Sequence, residues 1–495
     1  MSKPGQAHAN RERRAAGRTT TTAYLLPNLR PRAYGVPVAT RKPGDEGPAE
    51  QLRRRFRLHP AQVVVVGFMA AIAAGTLLLL LPGMTAPGRS TSFVDALFTA
   101  ASAVTTTGLD SVGTATHWTF LGQLVIIVMT QLGGLGILVS AALVGVLLAR
   151  RLSLRTRLNA AGEFRAEGFT DLRRLVRAVI GITLLIEAVV AALLFLRYVT
   201  HYGWGPGKAV WNAVFTSISA FTNLGFTLQS DSMMGFVGDP FVCLPVCAAV
   251  ILGGLGFPVI VQLWKEWRHP LRWSMNTNLV IVGTILLLAG GWAYLTAVEW
   301  SNPGTLGPLD PATKVLAGFF ASVMTRSAGF NTVDIAAMSS ESWFAIDVLM
   351  FIGTGPASVG GGIRITTFLV LFFVMLAELR GEAQVNIFGK RLSRAVHRQA
   401  ITVVLVAVAA VVGPTLLLLQ ITESSLDRIL FEVISAFSTT GMSTGITPEL
   451  PDSAKVVLVL LMLLGRVGPL TLGSALILRD RRILYEFPRE RPVVG

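Results

Sequence analysis

Four stretches of the sequence place hydroxyl-bearing residues beside a glycine in the same register. In each stretch a phenylalanine precedes the glycine by ten residues, and successive glycines are 117, 104 and 112 residues apart. Carbonyl and hydroxyl oxygens can replace the hydration shell of a cation, and glycine tolerates the positive φ that turns successive carbonyls to one side. These residues therefore favour cation binding rather than covalent catalysis. The stretches read FTAASAVTTTGL (98–109), FTSISAFTNLGF (215–226), FFASVMTRSAGF (319–330) and FEVISAFSTTGM (431–442).

The composition places these stretches in a membrane protein. Of the 495 residues, 52% are hydrophobic and only 14% are charged, and the mean hydropathy is +0.59. A soluble domain would carry about 25% charged residues. A helix of about 20 apolar residues crosses the hydrocarbon core, so the long apolar runs predict eight spans. These runs lie near 61–82, 119–149, 176–199, 241–264, 278–298, 344–376, 400–421 and 454–478.

Each glycine stretch lies between two of these runs and is too short to cross the membrane. Its recurrence indicates a repeated unit of span, short helix, glycine loop and span. Irregular backbone at membrane depth must be buried in protein or line a water-filled cavity, which favours four loops that converge on one axis. The predicted fold is therefore all-α and integral to the membrane, with four parallel helix–pore-helix–helix repeats around a pseudo-fourfold central pore. The repeats are 59–150, 151–265, 266–380 and 381–480.

The charge distribution predicts the orientation of the chain. The formal net charge is +15, yet most Lys and Arg lie in 1–58, 150–177, 265–272, 380–398 and 479–491, which alternate with connections that hold few. This alternation follows the positive-inside rule, so we expect both termini in the cytoplasm and contact with anionic membrane lipids. It argues against nucleic acid as a partner. We expect residues 1–58 to be a disordered basic cytoplasmic tail and 481–495 to be a cytoplasmic C-terminal tail.

The glycine loops resemble a known family. The motifs TTTGL, TNLGF, RSAGFNT and TTGMST look like the four filter loops of the Trk/Ktr/HKT superfamily of potassium transporters, over roughly residues 60–480. Eight spans without an extra N-terminal pair resemble its KtrB branch. The resemblance implies a homodimer in the plasma membrane that takes up K⁺ under the control of a cytosolic nucleotide-binding (RCK-type) regulatory ring.

The resemblance also implies which residues bind the ion. The selectivity filter would consist of each glycine and the residue before it, and glycine in all four loops supports K⁺ over Na⁺. The third loop departs from fourfold symmetry at Arg326 and Ser327, where the sister loops carry threonine or a similar residue. The implied filter residues are Thr107, Gly108, Leu224, Gly225, Ala328, Gly329, Thr440 and Gly441.

Two further features lie in the apolar runs. The stretch FIGTGPASVGGGIRITTF (351–368) contains Gly360, Gly361 and Gly362, and each glycine costs a helix interior about 1 kcal/mol, so a break is expected. The resemblance implies a gating loop there, whereas the alternative is a packing kink. Arg466 lies mid-span, and the resemblance implies an electrostatic barrier below the filter. The alternative for Arg466 is an ion pair or carbonyl contact that only supports the fold.

Other functions fit the sequence less well. An enzyme would need paired titratable groups or a metal cluster at cavity depth, and isolated Glu187 and Arg466 provide neither. A secondary transporter of an organic solute usually has inverted repeats, whereas these are parallel. A Na⁺-coupled or poorly selective monovalent cation transporter stays open as the alternative, with K⁺ carried and Na⁺ as a coupling ion. No covalently bound cofactor is expected.

Overall fold

The computed structural model describes residues 60–151, 172–382 and 384–478, with side chains described over 64–136, 176–382 and 384–468. Both predicted tails, 1–58 and 481–495, lie outside the described residues.

The described chain is almost entirely helical, as predicted. Each predicted repeat contains a long helix followed by a short helix that ends before the glycine loop, and the helices after the loop differ in number and length. The first two repeats hold α1 (Pro60–Leu79), α2 (Phe93–Val104), α3 (Thr114–His117), α4 (Phe120–Arg151), α5 (Leu172–Thr200), α6 (Pro206–Phe221), α7 (Pro240–Leu255) and α8 (Phe257–Glu266). The last two hold α9 (Met275–Glu299), α10 (Pro311–Met324), α11 (Ser340–Ile352), α12 (Ile365–Leu379), α13 (Arg394–Ile421), α14 (Leu426–Phe437) and α15 (Asp452–Leu478).

Short elements complete the described fold. Strands β1 (Asn386–Ile387) and β2 (Lys390–Arg391) pair antiparallel, with Ile387 opposite Lys390. Single 3₁₀ turns occupy Met234–Phe236, Pro270–Arg272, Ile335–Ala337 and Thr447–Glu449.

The four short helices α2, α6, α10 and α14 begin and end for identifiable reasons. Ser92 caps α2 by accepting a hydrogen bond from the Asp95 N–H at 3.0 Å, and Asp310 caps α10 through Ala312 and Thr313. Proline stands at the first position of α6 and α10, where its missing N–H costs nothing. Their C-terminal halves are buried in protein, as polar helix ends at membrane depth require.

Helix packing brings the four short helices together. α4 packs on α5 and α6, α7 on α10, and α11 on α14. The last helix, α15, returns to pack on α1 and α2. Each predicted repeat thus contacts the next, and the last predicted repeat contacts the first.

Not every predicted span is one straight helix. By length and composition three described helices can cross a membrane: Val176–Thr200, Met275–Glu299 and Arg394–Ile421. The predicted span near 241–264 is bent by 102° between α7 and α8, because Gly256 has a φ of +89°. The span near 344–376 is divided into α11 and α12. The count of eight spans and the repeat boundaries stay predictions.

An ion pair joins the last helix to the first repeat and makes stability depend on pH. Lys455 Nζ on α15 lies 2.9 Å from Asp95 Oδ1 on α2. Burial opposes ionisation of Asp95, but hydrogen bonds from Lys455 and Ser92 outweigh it and hold its pKa below the ordinary 3.8. A carboxyl with a lowered folded pKa stabilises the fold above its ordinary pKa, and this contribution is lost as the pH falls through the folded value.

We therefore expect Lys455→Gln to lower the melting temperature of the purified protein at pH 7. The difference from the unsubstituted chain should shrink as the pH falls below 3.8. Arg394→Gln, at an exposed position, is the charge-matched control and should change little. A Lys455→Gln difference that persisted undiminished below that pH would contradict the role of Asp95.

Candidate cation site

The backbone at the four repeat glycines forms a closed cycle of close contacts, in which Leu224 stands beside Gly108. The four glycines are here called the glycine ring (Gly108, Gly225, Gly329 and Gly441). A Cβ added to Gly108 would overlap the carbonyl oxygen of Leu224. One added to Gly225 would lie 2.5 Å from the Gly329 nitrogen, and one on Gly329 2.6 Å from the carbonyl carbon of Gly441. On Gly441 it would lie 2.8 Å from the Gly108 Cα, which completes the cycle. The ring has no space for a side chain.

The residues that precede the ring glycines are gathered at the same place. Thr107, Leu224, Ala328 and Thr440 are all fully buried. A Cβ on Gly441 would overlap the Thr107 carbonyl oxygen, so the backbone oxygen before one ring glycine lies directly against the next loop. The structure thus brings all eight sequence-predicted residues together.

Three of the four short helices end in the same hydrogen-bonded cap. In the first loop the Thr107 N–H donates to the Ser102 carbonyl at 2.8 Å and the Thr106 N–H to that of Ala103 at 3.1 Å. Thr106 has a φ of 49°, as a Schellman cap requires. The same pair of bonds recurs at Leu224 and Asn223 and at Thr440 and Thr439. The capping residue lies two positions before each glycine, so these three glycines are not themselves the helix caps.

Serines beneath the loops support them, and sequence reasoning missed these residues. The Gly108 N–H donates to Ser102 Oγ at 2.9 Å, and the Gly441 N–H donates to Ser435 Oγ at 3.1 Å. Ser219 occupies the equivalent place and donates to the Phe226 carbonyl at 2.8 Å. A serine six residues before the glycine in three of the four stretches was the available signal.

The third loop differs in its backbone as well as in its sequence. Ser327 and Gly329 lie outside the left-handed region that their equivalents occupy. The Ser327 and Ala328 N–H groups both point back to the Met324 carbonyl, at 3.3 and 3.0 Å. Arg326 is buried behind the loop, where its Nη2 donates to Thr284 Oγ1 of α9 at 3.3 Å. The arginine therefore braces this loop against α9.

The predicted break in the sixth span is confirmed, and the loop that replaces the helix contacts the ring loops. This inner loop (353–364) runs from the end of α11 to the start of α12. A Cβ on Gly361 would lie 2.5 Å from the Ser438 carbonyl oxygen, and one on Gly360 would lie 2.8 Å from Ser327 Cβ. The predicted gate residues Gly360 and Gly361 thus pack directly against the third and fourth ring loops. Gly362 has a φ of +80°, which glycine tolerates.

Two arginines, one buried and one half-buried, hold the inner loop. Arg466 on α15 is 2% exposed, and its Nη1 donates to the Val359 carbonyl. Arg364 Nη1 donates to the Gly355 carbonyl at 3.2 Å and to Ser358 Oγ at 3.1 Å, and also to the Gly360 carbonyl. Arg466 of the last predicted span thus contacts the loop in the sixth. Sequence reasoning missed the role of Arg364. Within the described residues neither arginine has a carboxylate at salt-bridge distance.

Two buried glutamates join neighbouring segments around the site. Glu187 on α5 accepts a hydrogen bond from Gln131 Nε2 on α4 at 3.0 Å, so it links two helices. Glu432 on α14 is fully buried and accepts hydrogen bonds from Ser443 Oγ and from Thr447 Oγ1, the latter at 3.0 Å. It supports the backbone that follows Gly441, a role that sequence reasoning missed.

Glycines of the long helices let three short helices approach closely. A Cβ on Gly133, Gly253 or Gly465 would overlap the carbonyl oxygen of the last residue of a short helix, respectively Val104, Phe221 or Phe437. Small residues at membrane helix contacts permit such approach. These glycines set the position of the helix ends that support the ring.

We expect Gly133→Ala to lower stability and transport together. The new methyl group must displace the end of α2, and overpacking of this kind costs about 1–3 kcal/mol. Gly136→Ala is the matched control, because it lies on the same helix with nothing within 4 Å of an added Cβ. Melting temperature and Rb⁺ uptake are the measurements, and equal behaviour of the two variants would contradict the packing role.

Long apolar helices around four short helices that end on buried backbone form the architecture of a membrane transport protein. The sequence profile described as "TrkH: Cation transport protein" matches residues 50–481, and the chain belongs to this family. The resemblance to the Trk/Ktr/HKT superfamily is thereby confirmed, as is the expectation of a multi-pass transport protein rather than an enzyme.

Individual relatives match over most of their length. Ktr system potassium uptake protein B of Vibrio alginolyticus is 36% identical, over 88% of this chain and 94% of its own. The protein of the same description from Bacillus subtilis is 38% identical, over 84% and 92%. Potassium/sodium uptake protein NtpJ of Enterococcus hirae is 32% identical, over 90% and 99%. The fold is similar to the crystal structure of the potassium transporter TrkH from Vibrio parahaemolyticus, with a TM-score of 0.66 at 20% identity over 86% of each chain.

Proposed function

We propose that this chain takes up K⁺ across the plasma membrane through the glycine ring, which acts as its selectivity filter. The observation that carries the proposal is the closed cycle of backbone contacts among Gly108, Gly225, Gly329 and Gly441. Four helix–pore-helix–helix repeats, eight spans and a pseudo-fourfold pore are the arrangement that such a cycle favours. Two relatives at 36% and 38% identity are named potassium uptake proteins, which supports K⁺ as the transported ion.

The ring can replace the hydration shell of K⁺. Backbone carbonyls around Thr107, Leu224, Ala328 and Thr440 supply oxygen ligands without side-chain rearrangement. The C-terminal ends of α2, α6, α10 and α14 stop four or five residues before the ring glycines. Their partial negative charge favours a cation over an anion at that point.

The inner loop is proposed as the gate. It packs against two ring loops, so an ion that leaves the ring must pass beside it. The positive charge of Arg466, bonded to the Val359 carbonyl, adds an electrostatic barrier there. Movement of the loop away from the ring, with Gly360, Gly361 and Gly362 as its flexible part, would open the path.

The names of the relatives support a proposal for regulation and assembly. "Ktr system" in the names of two relatives describes a component of a larger system. We propose that this chain forms a homodimer on a cytosolic nucleotide-binding (RCK-type) regulatory ring, with both termini in the cytoplasm. Coupling to Na⁺ or weak selectivity is the second candidate, favoured by the 32% identity to a relative named a potassium/sodium uptake protein.

Uptake in cells that lack their own K⁺ uptake systems tests the proposal. Expression of the chain should restore growth at limiting K⁺ and support Rb⁺ uptake that K⁺ inhibits more strongly than Na⁺. Equal inhibition by the two ions would favour the second candidate. A protein that reaches the membrane but supports no uptake, with or without a co-expressed regulatory subunit, would contradict K⁺ uptake.

A further inference from the structure

The segment that follows α7 leaves the helix bundle sideways. α8 is bent by 102° from α7 at Gly256, and the turn Pro270–Arg272 follows it. If α7 runs along the membrane normal, α8 at about a right angle to it runs parallel to the membrane plane. Residues 257–273 are here called the α8 arm, and in the proposed orientation they lie on the cytoplasmic side of α7.

The α8 arm carries an apolar set and a basic set of side chains next to each other. Trp264 and Trp267 are 67% and 65% exposed, and Leu271 is fully exposed. Lys265, Arg268 and Arg272 follow each of them by one residue and are also exposed. Trp264 and Lys265 lie at the end of α8, and the other four residues lie in the turn and the 3₁₀ segment that follow it. Tryptophan beside Lys and Arg is typical of helices that lie in the membrane interface.

The basic set is not neutralised by the protein. Within the described part of the chain no carboxylate lies at salt-bridge distance from Lys265, Arg268 or Arg272. The neighbouring Glu266 accepts a hydrogen bond from Gln262 Nε2 at 3.1 Å instead. The Arg268 guanidinium stacks on the Trp267 ring, with 4.8 Å to its centroid. Three positive charges therefore face outward beside an apolar surface.

We propose that the α8 arm is a binding site for anionic phospholipid of the inner leaflet. Lys265, Arg268 and Arg272 would bind the lipid phosphate, while Trp264, Trp267 and Leu271 enter the acyl boundary. A lipid is favoured over a regulatory protein because one molecule can contact both sets of residues. Its phosphate headgroup binds the basic side chains, and its acyl chains pack against the tryptophans. The inference rests on the proposed cytoplasmic orientation of this connection.

The base of the α8 arm is hydrogen-bonded to the inner loop. The Phe257 N–H donates to the Ala357 carbonyl at 3.2 Å. From the loop, the Gly355 N–H donates to the Gly254 carbonyl at 2.9 Å and the Val359 N–H to that of Gly253 at 3.3 Å. Val359 is the same residue whose carbonyl Arg466 binds. Lipid binding on the arm therefore biases the position of the proposed gate, which makes flux depend on anionic lipid.

Lipid binding is tested on the purified full chain, without reference to transport. Native mass spectrometry measures how much phosphatidylglycerol the protein retains relative to phosphatidylcholine. The combined variant Lys265→Gln, Arg268→Gln and Arg272→Gln should lose this preference by about tenfold or more, since each basic side chain near an anionic surface contributes about 1 kcal/mol. A control variant with Arg89→Gln, Lys208→Gln and Arg428→Gln removes the same charge from exposed positions in the opposite set of connections and should keep it. An unchanged preference in the first variant would overturn the site and leave a protein partner as the occupant of the arm.

Coupling is tested by Rb⁺ flux into vesicles of phosphatidylcholine with and without phosphatidylglycerol. The unsubstituted chain and the control variant should differ between the two vesicle types, and the α8 arm variant should not. Flux that responds to phosphatidylglycerol equally in all three proteins would overturn the coupling to the inner loop. Absence of flux in every protein would count against K⁺ transport itself, while the binding result would still decide the lipid site.

Discussion

Gly108→Ser is expected to reduce Rb⁺ uptake by about tenfold to a hundredfold and to weaken the preference for K⁺ over Na⁺. Gly108 has a φ of +90°, and an added Cβ would overlap the Leu224 carbonyl oxygen across the ring. Relieving such an overlap costs about 1–3 kcal/mol. The displaced oxygens are those that replace the hydration shell of the ion, so this cost raises the free-energy barrier to ion passage. About 1.4 kcal/mol of barrier corresponds to a tenfold change in uptake rate.

Two further serine variants separate crowding in the ring from backbone strain. Gly83→Ser is the control, since Gly83 has a φ of +89° with nothing within 4 Å of an added Cβ. Gly83→Ser should carry the backbone strain of a positive φ but leave Rb⁺ uptake unchanged. Gly329 does not have a positive φ, but a Cβ added there would lie 2.6 Å from the Gly441 backbone. Gly329→Ser should therefore reduce uptake as Gly108→Ser does. Uptake and K⁺/Na⁺ preference unchanged in both ring variants would contradict the filter.

Neutralising Arg466 is expected to raise K⁺ flux by about tenfold or more in the absence of any cytosolic partner. Arg466 is buried and bonded to the Val359 carbonyl of the inner loop. Two unit charges about 4–8 Å apart repel by roughly 2–4 kcal/mol at an effective dielectric constant of about 20, so a cation close to the arginine meets a barrier. Arg466→Gln removes this charge and weakens the hold on the loop. Flux into vesicles that contain the purified chain alone is the measurement.

The matched variant is Arg466→Lys, which keeps a positive charge. If the charge forms the barrier, the lysine variant should retain low flux while the glutamine variant does not. Deletion of Gly360, Gly361 and Gly362 should raise flux as well, because it shortens the loop that packs on the ring. Well-expressed Arg466→Gln and loop-deletion proteins with the flux of the unsubstituted chain would show that the inner loop is no gate.

The sequence was informative where a pattern recurs and uninformative where contacts join distant segments. Four phenylalanine-to-glycine spacings of ten residues predicted which loops belong together, and the structure places their glycines in contact. Glycine content alone predicted the break after Ile352, because a helix tolerates few glycines. The bend at Gly256 was missed, since one glycine within an apolar run is compatible with a straight span.

Other parts of the site depend on three-dimensional neighbours. The sequence around Arg364 does not distinguish it from any charged residue at the start of a helix. In the structure it donates hydrogen bonds to the carbonyls of Gly355 and Gly360. In the sequence Glu432 is an ordinary helix residue. Only the folded chain shows that Ser443, eleven residues later, donates a hydrogen bond to its carboxylate. The third loop contains a glycine in the same register as its sisters, but its helix end forms different backbone bonds, which a shared glycine does not reveal.

The most direct measurement is the position of Rb⁺ in crystals of this protein grown in rubidium chloride. An anomalous difference map should show Rb⁺ at the centre of the glycine ring, between the backbone oxygens around Thr107, Leu224, Ala328 and Thr440. The Gly108→Ser protein, prepared identically, should show a weaker peak or none. Rb⁺ bound elsewhere in the protein, with no density at the ring of the unsubstituted chain, would contradict cation passage through the four glycines.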